Sequence, residues 1–353
     1  MPAAKMVSSE VQEKPTLLGS MEMEKAVALL VIFYGYPWGH CFFQERILPS
    51  IQSPLGALPS RFRRSRVLIV GCGDVGLRVA RLLAPRVRVL ALTSSAQRVP
   101  LLRSVGILAL CGNLDQGSQL RRMAGMAQRV LYLAPPAAEG QSDGRLVTFT
   151  QATRLRAPPK VLVYASTSGV YGDCEGAWVT ESAAIDPTTP RAHRRTHAEA
   201  VARFFGRSAG IRASVLRVPG IYANDREGGT PLTRLQKGAP VLRDDEDVYT
   251  NHIHADDLAR ACVLALWRGK SQRSYNINDD TDMKMGQYLD AAADLYGLPR
   301  PPRMAREELK KEVSAMQLSF MNESRRLVNQ RMKKELGLRL RYPSTLDGLL
   351  ASK

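Results

Sequence analysis

The feature that most constrains this chain is a junction. Arg66 to Val70 (RVLIV) reads as a short buried strand, runs directly into Gly71-Cys72-Gly73-Asp74-Val75-Gly76, and continues into the amphipathic stretch Leu77 to Leu83. A GxGxxG run alone says little; between a strand and a helix each glycine acquires a task. Gly71 permits the tight turn, Gly73 lets the backbone approach a pyrophosphate, and Gly76 lets the helix pack on the strand while its free N–H groups face the phosphates. A glycine-rich turn without a ligand is the plainer alternative. On the ligand-binding reading, Gly71, Gly73, Asp74, Val75 and Gly76 hold a dinucleotide.

Apolar runs then recur at the spacing of strand–helix–strand units: Val87 to Leu92, Ile107 to Cys111, Val130 to Ala134 and Val161 to Ala165. Such alternation predicts an α/β fold, a Rossmann-type doubly wound parallel sheet with right-handed crossovers. Ligands bind beyond the carboxyl ends of such strands, so Thr93 to Arg98, Asn113 to Asp115, Ala134 to Pro136 and Ser166 to Ser168 are expected to line one crevice with the glycine turn. The cofactor contacts expected there are Ser94, Arg98, Asn113, Leu114, Ala134 and Pro135. A NAD-preferring site carries an acid at the end of the second strand to hold the ribose 2′-hydroxyl. Here Thr93, Ser94 and Ser95 stand there, with Arg98 following. NADP is therefore favoured over NAD, with Arg98 on the 2′-phosphate; an ordinary solvated arginine is the alternative.

Charge narrows the partners. The formal net charge is +17, but Lys and Arg are scattered over the predicted helices without an aromatic-interleaved basic stripe or a nucleic-acid-binding motif. No nucleic acid is expected as partner; a phosphorylated small molecule fits the same charge. The five cysteines are far apart, which argues against a disulfide framework and a cysteine-based zinc site and fits a reducing cytoplasm. Residues 1–60 differ from the rest, with four bases and five acids. Their uncharged stretch from Ala26 to Phe43 is interrupted by Gly, Pro and His, so a poorly ordered extension or an over-long start is expected before a membrane anchor.

At Val161 to Asp173 (VLVYASTSGVYGD) the chain resembles the extended, and in one respect atypical, branch of the short-chain dehydrogenase/reductase superfamily, the NAD-dependent epimerase/dehydratase family. Val215 to Tyr222, His252 to Ala265, Tyr275 to Asn278 and the tail Ser324 to Leu349 match in order. The resemblance implies a NAD(P)-binding oxidoreductase or epimerase-like enzyme acting on a small, nucleotide-linked or phosphorylated substrate. It also implies a smaller C-terminal substrate lobe (219–252 and 279–353) beside a Rossmann domain (61–218 plus about 253–278), and a homodimer is compatible with it. The matching hydroxyl for the substrate's reacting oxygen is Thr167. The family's Tyr-x-x-x-Lys pair is missing from Pro187 to Glu199, where His193 and His197 are placed at the Tyr and Lys positions. His193 is then a candidate acid/base, against the plainer reading of a solvated basic helix face, and a catalytically inactive dinucleotide-binding sensor or scaffold is the alternative function. His-x-x-x-His lacks a third ligand for zinc, so no metal is expected. Arg217 and Arg226 are candidate contacts to an anionic substrate or surface ion pairs, Tyr222 to Asp247 reads as a mobile cover, and Asp256 is expected near a helix N-cap.

Overall fold

The computed structural model describes residues 64–154 and 157–351, all within one compact unit. The expectations for residues 1–60 lie outside the described residues.

Seven strands make the central sheet: β1 (Arg66–Val70), β2 (Arg88–Thr93), β3 (Leu108–Cys111), β4 (Arg129–Tyr132), β5 (Val161–Thr167), β6 (Arg212–Val218) and β7 (Arg273–Asn276). Their order is β3-β2-β1-β4-β5-β6-β7, and every pairing is parallel. The chain therefore reverses its winding between β1 and β4, the switch point where such sheets open a crevice. Buried on both faces, the central strands are near-continuous apolar runs; Val67, Ile69 and Val70 in β1 and Leu162, Val163 and Tyr164 in β5 are fully enclosed.

Five helices matter for the site: α1 (Asp74–Leu83), α2 (Val99–Ser104), α3 (Gly144–Arg154), α4 (Pro190–Ser208) and α5 (Ala255–Arg268). One face of the sheet packs on α1 and α5 through Val79, Ala80, Ala259, Cys262 and Ala265. The other packs on α3 and α4 through Leu146, Phe149, Ala198, Ala202 and Phe205. Met332, Leu336 and Leu338, from the tail, join the first of these clusters. A smaller, separate apolar cluster gathers Tyr222, Leu235, Val241, Tyr288, Leu289 and Leu349.

The predicted helix from Leu77 starts three residues earlier, at Asp74, because Gly73 is its extended N-cap. β5 runs two residues beyond the predicted Ala165, carrying Ser166 and Thr167 in register with β6. The stretch read as a cover, Tyr222 to Asp247, is tied down: Val241–Leu242 pairs with Arg303–Met304, and Asp225 is bound to Arg78. Among the described residues no helix is long and apolar enough to cross a membrane.

Candidate functional site

The glycine turn leaves β1 with Gly71 at φ +83°, a left-handed conformation that suits glycine. A Cβ there would stand 2.5 Å from the backbone nitrogen of Ala134, so the turn lies flat against the end of β4. Gly76 is close-packed too, with the position of a Cβ 3.2 Å from Cys72 Sγ and 3.4 Å from Ile69 Cγ2. Gly73 differs from both: a Cβ there meets nothing within 4 Å. It stands as the N-cap of a ten-residue helix with no side-chain cap, so the approach to the helix start over Gly73 is open.

Around this turn lie the other predicted contacts, on the carboxyl ends of neighbouring strands. Ser94 is exposed at the end of β2 and Arg98 is half-buried beyond it. Arg98 has no ion pair among the described residues and a buried Nε without a hydrogen-bond partner. It bears electrostatically on Cys72, opposing the burial that pushes that thiol up to about 11. Past β3, Asn113 Oδ1 accepts from Asp115 N–H at 3.0 Å, and Leu114 packs on the core. Asp115 holds Arg145 through two 2.8 Å hydrogen bonds, and Arg145 donates to the Pro135 carbonyl. Ala134 is buried and Pro135 exposed at the end of β4. The open space over Gly73 and the orphaned Arg98 nitrogen are what a dinucleotide site requires: close backbone approach and an unspent cation.

Asp74 opens α1 and is matched by cations. Arg78 holds Asp74 at 3.2 Å, Asp225 at 2.5 Å and Asp256 at 2.6 Å, and Arg226 lies 3.6 Å from Asp74. Arg226 also lines a cleft of about 840 Å³ bounded by the end of β5, the start of α4, residues 219–221 and 249–252, and residues 317–325. Arg226 thus reaches from this cleft to the first residue of α1.

Thr167 ends β5 and faces that cleft. Its Oγ1 accepts from Gly169 N–H at 3.3 Å and from Arg191 Nη2 at 3.4 Å. Helix α4 starts cleanly here, with Thr189 as N-cap accepting from Ala192 N–H and Pro190 in the first turn. Its rotational setting is fixed by Glu199, which is fully buried and accepts from Arg217 Nε at 3.1 Å and Nη2 at 2.8 Å. Four-residue steps back from Glu199 put Arg195 and Arg191 on the same face. Arg195 Nη1 donates to the Ala165 carbonyl at 2.7 Å and to the Tyr164 hydroxyl at 3.0 Å.

The two histidines are set elsewhere. His193 is half-buried and is not part of the cleft wall; its side chain makes no hydrogen bond among the described residues. His197 Nδ1 accepts from Asp143 N–H at 3.2 Å, which leads into α3. Arg191 and Arg195, which sequence reasoning missed, are the groups brought to the end of β5; the signal for them was the four-residue spacing from Glu199. Arg217 is corrected: at 3% exposure and bound to Glu199, it is an internal ion pair and no ligand contact. Asp256 stands near the N-cap of α5 as expected, in the first turn; the cap itself is His254, whose Nδ1 accepts from Asp256 N–H. His252 lines the cleft, and burial pushes its pKa down to about 4, so it is neutral at pH 7.

Residues 67–278 match the NAD dependent epimerase/dehydratase family. The chain belongs to that family. A comparison with curated proteins finds no match. Among solved structures, a functionally unknown conserved protein from Silicibacter pomeroyi shares 28% identity, covering 81% of this chain and 97% of that one with a TM-score of 0.68. UDP-glucose 4-epimerase from Thermotoga maritima, solved with UDP-glucose, shares 18% identity over 80% of this chain and 96% of that one, with a TM-score of 0.67. The dTDP-glucose 4,6-dehydratase of Streptomyces venezuelae, solved with NAD, shares 22% over 80% and 94%, with a TM-score of 0.66. At the two lower identities the likeness is one of fold.

Proposed function

We propose that this member of the family binds a nicotinamide dinucleotide across the glycine turn, NADP(H) in preference to NAD(H), and acts as an oxidoreductase or epimerase-type enzyme on a small molecule in the adjoining cleft. The observation that carries the reading is Gly73: an open backbone approach at a helix N-terminus, at the switch point of the sheet, one Arg226 side chain away from an 840 Å³ cleft. Among the solved relatives the dehydratase holds NAD and the epimerase UDP-glucose, which supports a nicotinamide dinucleotide and a small-molecule cleft; the preference for NADP(H) rests on Arg98 and the missing acid after β2. Gly71, Asp74, Val75 and Gly76 form the turn, Ser94 and Arg98 take the 2′-phosphate, and Asn113, Leu114, Ala134 and Pro135 flank the rest of the dinucleotide. The nicotinamide would supply the hydride chemistry; Thr167, at the end of β5, would touch the reacting end of the substrate.

A charge-assisted contact to phosphate contributes about 1.5–3 kcal/mol, so Arg98→Ala should weaken NADP+ binding about tenfold or more and NAD+ binding little. Calorimetry with both dinucleotides checks this, and equal losses would remove Arg98 from the 2′-phosphate. A second reading, a dinucleotide-binding sensor without turnover, is favoured by one observation: the side chains turned to the end of β5 are Arg191 and Arg195, and a guanidinium is no general acid or base. Dinucleotide-dependent product formation from any carbonyl compound in a broad panel would eliminate the sensor; its absence together with tight NADP(H) binding would favour it.

A further inference from the structure

The meeting of β5 and α4 has a chemistry of its own. A threonine hydroxyl carries two lone pairs and one hydrogen. Both acceptor directions of Thr167 Oγ1 are taken, by Gly169 N–H and by Arg191 Nη2. Its O–H is therefore left to donate, and no protein acceptor takes it among the described residues. Arg191 is exposed and makes no ion pair among those residues. The carboxylate that bears on it, Glu323, is engaged by Arg325 at 2.8 Å and by Thr188 at 3.2 Å. Phe320 stacks against the Arg191 guanidinium with its ring centroid 5.4 Å from Cζ. With one face on a ring, a guanidinium offers its edge, a planar fork of N–H donors whose best partner is another planar group.

We propose that Thr167 and Arg191 together seat a carboxylate of the small-molecule ligand. Resting on the reading of the cleft as a substrate site, this names the class of substrate: a compound bearing a carboxylate next to its reacting end. Arg194 and Arg234 line the same cleft without a carboxylate partner among the described residues, and Arg234 has a buried Nε with no hydrogen-bond partner. The cleft is thus positive beyond what its own acids neutralise. Arg191 binds and orients; it neither takes nor gives a proton at any pH the protein meets.

The test is calorimetry of the full chain with oxalate, with and without saturating NADP+, and with sulfate as a tetrahedral control. The expected result is oxalate binding to the unaltered protein, weakened at least tenfold by Arg191→Gln, partly recovered by Arg191→Lys, and reduced severalfold by Thr167→Val. Affinity should be flat between pH 6 and 9, because a guanidinium does not titrate there. A fall through about pH 6.5 would transfer the role to an imidazole and overturn the proposal. Sulfate binding as tightly as oxalate would overturn the carboxylate assignment. Absence of oxalate binding, or binding indifferent to Arg191→Gln, would overturn the whole inference while leaving NADP+ binding intact. Absence of NADP+ binding instead overturns the dinucleotide reading, and the titration without NADP+ still decides the role of Arg191.

Discussion

Two glycines two residues apart should respond to substitution in opposite ways. At Gly71 an added methyl meets the Ala134 backbone at 2.5 Å and 2.6 Å, and φ is +83°. The left-handed conformation costs an L-residue about 1–2 kcal/mol. Pushing back strand backbone adds about 1–3 kcal/mol. Gly71→Ala should therefore destabilise by about 2–5 kcal/mol. At about 2–4 °C per kcal/mol that is a fall in Tm of roughly 4–20 °C. At Gly73 the backbone is extended (φ −79°), the space is open and there is no side-chain cap to lose. Gly73→Val should change stability by no more than about 1 kcal/mol, the difference between glycine and an apolar N-cap. Its isopropyl group would instead fill the space assigned to the pyrophosphate. Thermal unfolding with and without NADP+ separates the two effects. At a hundredfold excess over Kd the ligand stabilises the native state by about 2.7 kcal/mol, and Gly73→Val should abolish that increment with the ligand-free Tm nearly unchanged. A Gly73→Val variant that keeps the NADP+ increment, or one that unfolds as early as Gly71→Ala, would refute the reasoning.

Two further expectations concern the frame of the site. Glu199→Ala strips the carboxylate from Arg217, which is 3% exposed, and leaves a buried charge without its partner; urea unfolding should show a loss of about 3–5 kcal/mol, and a loss below about 1 kcal/mol would contradict the anchoring role given to the pair. Burial pushes the Asp279 carboxyl up to about 7, whereas in the unfolded chain it ionises near about 3.9. Between those values the folded state keeps a proton that the unfolded chain has released, so stability falls as pH rises from about 4 to about 7 and then levels off. Asp279→Asn should match the unaltered protein near pH 4 and exceed it at pH 8 by up to about 4 kcal/mol, the free-energy equivalent of that gap in pKa; identical slopes in both proteins would show that another group carries the dependence.

The strand–turn–helix unit at Arg66 to Leu83 and the parallel sheet that follows were determined by the sequence, because buried parallel strands are contiguous apolar runs and the glycine turn uses only local geometry. Thr167 was legible for the same reason, standing at the end of such a run. What the tertiary structure decided was the phase of α4. The second half of Pro190 to Ser208 carries an apolar stripe, Ala198, Ala202 and Phe205, but its first two turns are arginine and histidine with no such stripe. There the setting is anchored by Glu199, held by Arg217 on β6 and by Arg203 on its own helix. That long-range pair turns Arg191 towards Thr167, sets His193 away from the cleft wall, and makes Arg217 part of the interior. Residue spacing along one helix fixes which side chains share a face; only the partner across the fold fixes where that face points.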